Sequence, residues 1–112
     1  MTHITWDDFT KVELRVGTII EVNDFPEARK PAYQVKVDFG EDIGIKKSSA
    51  QITELYTKDD LINKQIVAVV NFPPKQIGSF MSECLITGFY NGDNNVVLAV
   101  PDQSISNGAL LI

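Results

Sequence analysis

The segment Val67-Ala-Val-Val-Asn-Phe-Pro-Pro-Lys-Gln-Ile-Gly-Ser-Phe-Met-Ser-Glu-Cys-Leu85 decides how this chain is interpreted. It starts in the apolar, β-branched run Ile66–Val70, which is typical of a buried strand. Pro73 and Pro74 end that strand, because proline lacks the N–H that a sheet ladder needs. The chain turns apolar again at Cys84, so a loop joins two core strands. Loops held by a rigid scaffold often carry binding residues, and we therefore expect a binding module.

This loop contains two aromatic residues, Phe72 and Phe80, and one cation, Lys75. Each ring could belong to the core, or could be a platform for a peptide side chain or a stacked base. A second polar segment contains Lys46 and Lys47. These lysines are either solvated surface or a patch that attracts phosphates or the acidic groups of a bound chain.

Apolar and polar residues alternate from Val12 to Val22, which predicts a long strand with one buried face. Gly17-Thr18 interrupts the alternation and predicts a bulge or bend there. Shorter apolar runs predict the other strands, at Tyr33–Phe39, Ile43–Ile45, Gln65–Val70, Cys84–Gly88 and Val96–Val100. The polar segment Lys46–Gln51 is expected to be a loop after the third strand.

Short helical turns are predicted where a capping residue precedes an acidic one by three positions. Thr5 and Asp8 indicate a turn over about residues 6–10, and Thr57 and Asp60 indicate another. A further turn is expected at Ile52–Tyr56. The whole pattern predicts a single all-β domain over residues 1–112: a five-stranded Greek-key OB-fold barrel with short helical turns and N- and C-terminal extensions.

The chain of 112 residues has a formal charge of −5, which argues against nucleic acid as the main partner. All ten basic residues precede Gln76, so a local basic patch remains an open alternative. No apolar run is long enough to cross a bilayer, so we expect no membrane insertion. The first eight residues lack a signal-peptide pattern and Cys84 has no partner for a disulfide, which favours a cytoplasmic location.

The residues give no support for catalysis or for a cofactor. Cys84 lies in an apolar run, where a free cysteine is usually a small buried hydrophobe. The single histidine, His3, is at the far end of the sequence, and no His/Cys spacing suits a metal. We therefore expect a protein that is not an enzyme and that needs neither metal nor cofactor.

Several long motifs resemble one known family. Phe9-Thr-Lys-Val-Glu-Leu-Arg-Val-Gly-Thr-Ile19 is similar to the first strand of the tRNA-binding OB-fold domain that is appended to several tRNA synthetases. Within that family, four segments resemble the CsaA-like export-related chaperones of bacteria, and Pro101-Asp-Gln103 and Asn107-Gly108 continue the match. The four are Phe25-Pro-Glu-Ala-Arg-Lys-Pro31, Ile43-Gly-Ile-Lys-Lys-Ser-Ser-Ala-Gln-Ile-Thr53, Leu61-Ile-Asn-Lys-Gln65 and Val69-Val-Asn-Phe-Pro-Pro-Lys75.

The resemblance implies a homodimer that binds unfolded or precursor polypeptides and is linked to SecA-dependent export, with ancestry in tRNA binding. It implies a groove for peptide or tRNA built from Lys46, Lys47, Ser48, Ser49, Gln51, Asn71, Phe72, Pro73, Lys75, Phe80 and Ser82. Dimerisation would use the N-terminal turn and a C-terminal segment of about residues 96–112, including Trp6, Phe9, Leu110, Leu111 and Ile112. From the residues alone, packing of the apolar tail within its own chain is the alternative.

Two functions therefore remain from the sequence. The first is a chaperone that binds extended polypeptides. The second is a tRNA-binding module acting in trans, whose affinity would fall steeply with salt.

Overall fold

The structure is a computed structural model that describes residues 1–112, with two short helices and nine strands. The helices are α1 (Trp6–Thr10) and α2 (Lys58–Leu61). The strands are β1 (Leu14–Asp24), β2 (Tyr33–Asp38), β3 (Ile45–Ala50), β4 (Gln65–Val69), β5 (Lys75–Ile77), β6 (Phe80–Ser82), β7 (Leu85–Ile86), β8 (Gly88–Tyr90) and β9 (Val96–Leu98).

Five strands form one antiparallel sheet in the order β3-β2-β1-β4-β7. The sheet curls until its two outer strands approach each other. There, the Glu83 N–H donates to the Lys47 carbonyl at 2.7 Å, which nearly closes the barrel. The predicted all-β, five-stranded OB-fold barrel with short helical turns is confirmed.

Alternating side chains on the strands fill the barrel. Along β2, Tyr33, Val35 and Val37 point inward and are buried, while Lys36 between them is exposed. They belong to a cluster of 13 buried residues that forms the main core. The period-two pattern in the sequence is thus the direct consequence of one face of each strand meeting this core.

The bulge in β1 is not at Gly17-Thr18, where the sequence predicted it. The register with β2 shifts between Ile19 and Glu21 instead. Gly17 is needed for another reason: a Cβ there would lie 2.5 Å from Val37 Cγ1 and 2.7 Å from Phe39 Cδ1. The core side chains therefore approach the β1 backbone at Gly17 more closely than any other residue type would permit.

Both capped helices begin as predicted. The Thr5 hydroxyl accepts from the Asp8 N–H, and the Asp8 carboxylate accepts from the Thr5 N–H. Thr57 and Asp60 repeat this arrangement at α2. The helical turn predicted at Ile52–Tyr56 is wrong, because the chain forms only a non-helical turn there. Neither α1 nor α2 has the length and apolar character that crossing a membrane requires.

The C-terminal tail is bound to its own chain through the backbone. Leu110 pairs with Arg15 of β1, and the Leu111 N–H donates to the Leu14 carbonyl at 2.8 Å. The apolar side chains nevertheless face outward, and Ile112 is 92% exposed. The backbone of the tail extends the sheet, while its side chains leave an apolar surface open.

Candidate functional site

The segment Asn71–Ser82, predicted as a loop, contains the hairpin of β5 and β6. Pro73-Pro74 separates this hairpin from β4, as the sequence indicated. Gly78 lies in its two-residue turn with a φ of +57°, a conformation that favours glycine. The hairpin is held against β3, where the Ser82 hydroxyl accepts from the Ser49 N–H at 3.1 Å. It therefore forms a fixed wall beside the barrel.

Most of the segment Lys46–Gln51, also predicted as a loop, is strand β3, so that prediction is wrong. Its backbone is hydrogen-bonded on both edges, which keeps a polar sequence extended. On one edge β3 pairs with β2, with Lys47 opposite Lys36. On the other edge, the Lys47 N–H donates to the Glu83 carboxylate at 3.0 Å. Because strand side chains alternate, Lys46 and Lys47 lie on opposite faces of β3.

Two residues predicted for the groove are buried instead. Ser48 is 0% exposed and forms part of the barrel interior. Phe80 is 8% exposed, with its ring 5.4 Å from that of Phe25 and the Lys47 ammonium 5.2 Å above it. The burial of Phe80 fits the packing interpretation, and neither residue exposes its side chain in this structure.

Asn71 has a bridging role within the fold. Its amide donates to the Lys11 carbonyl at 2.7 Å and accepts from the Glu13 N–H at 3.0 Å. These bonds fix the chain before β1 to the end of β4. Both polar ends of the Asn71 side chain are therefore already in use.

An open apolar cavity of about 230 Å³ lies between the hairpin and β7. Phe72, which is 54% exposed, and Leu85, which is 48% exposed, form its sides, and the buried Cys84 contributes to its floor. The lining residues of this apolar cavity are Phe72, Pro73, Lys75, Ser82, Glu83, Cys84 and Leu85. Such a concavity can accept one apolar side chain.

A second depression, the cationic groove, of about 640 Å³, lies between β5 and the loop that joins β1 to β2. Its lining residues are Glu27, Ala28, Arg29, Lys30, Ala32, Ser49, Gln51, Lys75, Gln76, Ile77 and Gly78. The Ser79 hydroxyl donates to the Glu27 carboxylate at 3.1 Å, which ties that loop to the turn of the hairpin. Lys75 lines both the cationic groove and the apolar cavity.

The structure thus brings together only part of the predicted set. Ser49, Gln51 and Lys75 line the cationic groove, and Phe72, Pro73, Lys75 and Ser82 line the apolar cavity. Lys46 lines neither of them. Sequence reasoning missed Arg29, Lys30 and Leu85. The motif Phe25–Pro31 had already been singled out by its resemblance to a family, and it could have pointed to Arg29 and Lys30.

The basic residues fall into two groups. Four of them form ion pairs with carboxylates: Lys11, Arg15, Lys36 and Lys58. The other six form none, and three of these six line the two depressions: Arg29, Lys30 and Lys75. A protein with a formal charge of −5 thus leaves these cations without an acidic partner.

Cys84 is a buried free cysteine. Burial raises the pKa of its thiol to about 12, although the charge of Lys46 opposes the shift. The thiol is therefore protonated at neutral pH, and thiolate chemistry needs the deprotonated form. No group of three or more His, Cys, Asp or Glu side chains is placed to hold a metal ion.

Residues 14–110 match the family described as "Putative tRNA binding domain". A curated relative, the methionine–tRNA ligase of Thermococcus onnurineus, is 36% identical over 107 residues. That alignment covers 96% of this chain and 14% of the ligase, so this chain spans only a small part of its relative's length.

Two solved structures are similar over nearly the entire chain. The CsaA chaperone protein from Picrophilus torridus has a TM-score of 0.92 and 55% identity, covering 98% of this chain and 100% of that one. The chaperone CsaA from Bacillus anthracis has a TM-score of 0.92 and 44% identity, covering 99% and 100%. This chain therefore belongs to the tRNA-binding domain family and, within it, to the CsaA group.

Proposed function

We propose that this protein is a non-enzymatic chaperone that binds extended segments of unfolded polypeptides at the apolar cavity and the cationic groove. The observation that carries the proposal is the open apolar cavity between Phe72 and Leu85, placed directly beside unpaired cations. The clients would include precursors destined for export, with SecA as a partner of that route. The CsaA relatives, which are described as chaperones, support the same conclusion.

Apolar burial would supply most of the affinity. An apolar side chain that enters the cavity gains roughly 25 cal/mol per Å² removed from water. One such side chain per apolar cavity gives only weak binding once the entropy lost by the bound chain is subtracted. Weak binding suits the reversible capture of many clients. We expect micromolar-class affinity that changes little with moderate salt.

A titration against a labelled unfolded precursor, at low and at physiological salt, tests this proposal. Phe72→Ala should weaken binding several-fold, because it removes one side of the cavity. Ile62→Ala is the matched control, since Ile62 is an exposed apolar residue that lines neither depression. The proposal fails if the precursor does not bind, or if both variants bind it equally.

A tRNA-binding module acting in trans is the second candidate. The family description and the unpaired cations favour it. Against it stand the formal charge of −5 and the burial of Phe80, which removes a stacking surface from the groove. Its affinity should fall by about 0.7–0.9 log units per phosphate contact for each log unit of salt. Exchanging Lys46 and Lys47 for glutamate should then abolish binding of a labelled tRNA, whereas Phe80→Ala should weaken it less.

Two copies of the chain are expected to assemble through the exposed apolar surface near both termini. Trp6 is 68% exposed, and the rings of Trp6 and Phe9 lie 5.4 Å apart on one face of α1. Exposed side chains of Leu110, Leu111 and Ile112 add to this surface. Deleting residues 110–112 should shift a dimer toward monomer in sedimentation experiments. A deletion variant that remains a stable dimer would exclude the tail from the interface.

A further inference from the structure

We propose that the apolar cavity and the cationic groove together select polypeptide segments in which a carboxylate lies two residues from an apolar side chain. This inference rests on the proposed chaperone function and specifies its ligand. It is carried by the arrangement of the apolar cavity and the cationic groove on either side of one residue, Lys75.

The spacing follows from the position of Lys75, which lines both depressions. A chain that places an apolar side chain in the apolar cavity must pass this lysine as it leaves toward the cationic groove. An extended chain advances roughly 3.3 Å per residue, and its side chains alternate in direction. A side chain two positions away points to the same side as the apolar one, and therefore meets Lys75 or the neighbouring Arg29 and Lys30.

The charge of the groove determines which side chain is accepted. Its lining contains three cations, Arg29, Lys30 and Lys75, and a single carboxylate, that of Glu27. Glu27 accepts a hydrogen bond from the Ser79 hydroxyl, and none of the three cations forms an ion pair within the protein. A carboxylate on the ligand would supply the missing partner, whereas a basic side chain would be repelled.

A ligand could instead pair with β5 as a further strand, but backbone pairing would not select for a carboxylate. The edge of β5 is also poorly suited to such pairing. β5 has only three residues and follows Pro73-Pro74 directly. The Gln76 amide also donates to the Gly78 carbonyl at 2.7 Å, next to that edge. Short edges next to prolines resist pairing with another strand. Side-chain contacts should therefore dominate recognition.

Three synthetic peptides test the inference. They share a Gly/Ser background and one central leucine, and they carry Glu, Gln or Lys both two residues before and two residues after it. In fluorescence anisotropy titrations at low salt, we expect the Glu peptide to bind about fivefold more tightly than the Gln peptide, the ratio for one partly exposed ion pair. The Lys peptide should bind least well, and the differences should shrink with added salt.

Lys75→Gln should reduce the difference between the Glu and Gln peptides. Lys64→Gln should preserve it, because Lys64 is also without an ion pair but lines neither depression. Equal affinity for all three peptides, or a preference for the Lys peptide, would overturn this inference. If an unfolded precursor still binds in that case, the proposed chaperone function is unaffected. If neither peptides nor precursor bind and tRNA does, both proposals fail.

Discussion

Two phenylalanines on the same segment, Phe72 and Phe80, should respond in opposite ways to replacement by alanine. Phe80 is 8% exposed and packs on Phe25, with the Lys47 ammonium 5.2 Å from its ring. Phe72 is 54% exposed and lines the apolar cavity. We expect Phe80→Ala to destabilise the fold and Phe72→Ala to weaken binding of polypeptide.

The size of the effect at Phe80 follows from its surroundings. Replacing a core phenylalanine by alanine typically costs about 3–5 kcal/mol, combining lost burial with the cavity left behind. Phe80 lies in a small cluster with only two other buried residues, Phe25 and Ala32. A site at the margin of the barrel can partly collapse, so we expect a loss near the lower limit, about 3 kcal/mol. Phe72→Ala should change the free energy of unfolding by less than about 0.5 kcal/mol.

Urea unfolding followed by far-UV circular dichroism measures both values. A double-mutant cycle of Phe80→Ala with Phe25→Ala should give a coupling of about 1 kcal/mol, because the two rings contact each other. The reasoning is refuted if Phe80→Ala leaves stability within about 0.5 kcal/mol of the parent and weakens binding as much as Phe72→Ala does. Phe80 would then be a ligand contact, as the sequence alone allowed.

Three further changes test other parts of the fold. Gly17→Ala should cost about 1–3 kcal/mol in urea unfolding, since its Cβ would lie 2.5 Å from Val37 Cγ1; an unchanged midpoint would show that Val37 moves aside freely. Thr57→Ala should cost about 1 kcal/mol through loss of the α2 cap, and Thr57→Ser should restore most of it. Burial raises the pKa of the Cys84 thiol to about 12, whereas the pKa of an unfolded thiol is ~8.5. Because the unfolded chain loses this proton first, the contribution of Cys84 to stability should be lost progressively as pH rises above ~8.5. Cys84→Ser should remove that part of the pH dependence, and rapid alkylation of the folded protein by iodoacetamide would contradict the burial of the thiol.

Much of the fold could be predicted because the relevant signals are local. Alternation along β1 and β2 shows which residues face a core, whatever that core contains. The Thr5 and Thr57 caps bind groups only three positions away, so both helices begin as expected. Pro73-Pro74 ends β4 through its own covalent geometry. These features need no information about distant parts of the chain.

The predictions that failed depend on distant contacts. Lys46–Gln51 has the composition of a loop, but β2 and Glu83 bind its backbone on both edges and make it a strand. Gly17 marks close packing against Val37 and not the bulge, which the pairing of β1 with β2 places near Ile20. A pairing partner dozens of residues away leaves no local signature in either segment.

The sequence by itself showed that the segment Asn71–Ser82 combines two aromatic residues with a cation. Only the tertiary structure decided that Phe80 is buried while Phe72 is open, and that Arg29 and Lys30 share a groove with Lys75. The physical reason is that burial and charge pairing depend on which side chains the folded barrel brings within a few ångströms of each other. Residues of one type in one segment can therefore end in opposite environments.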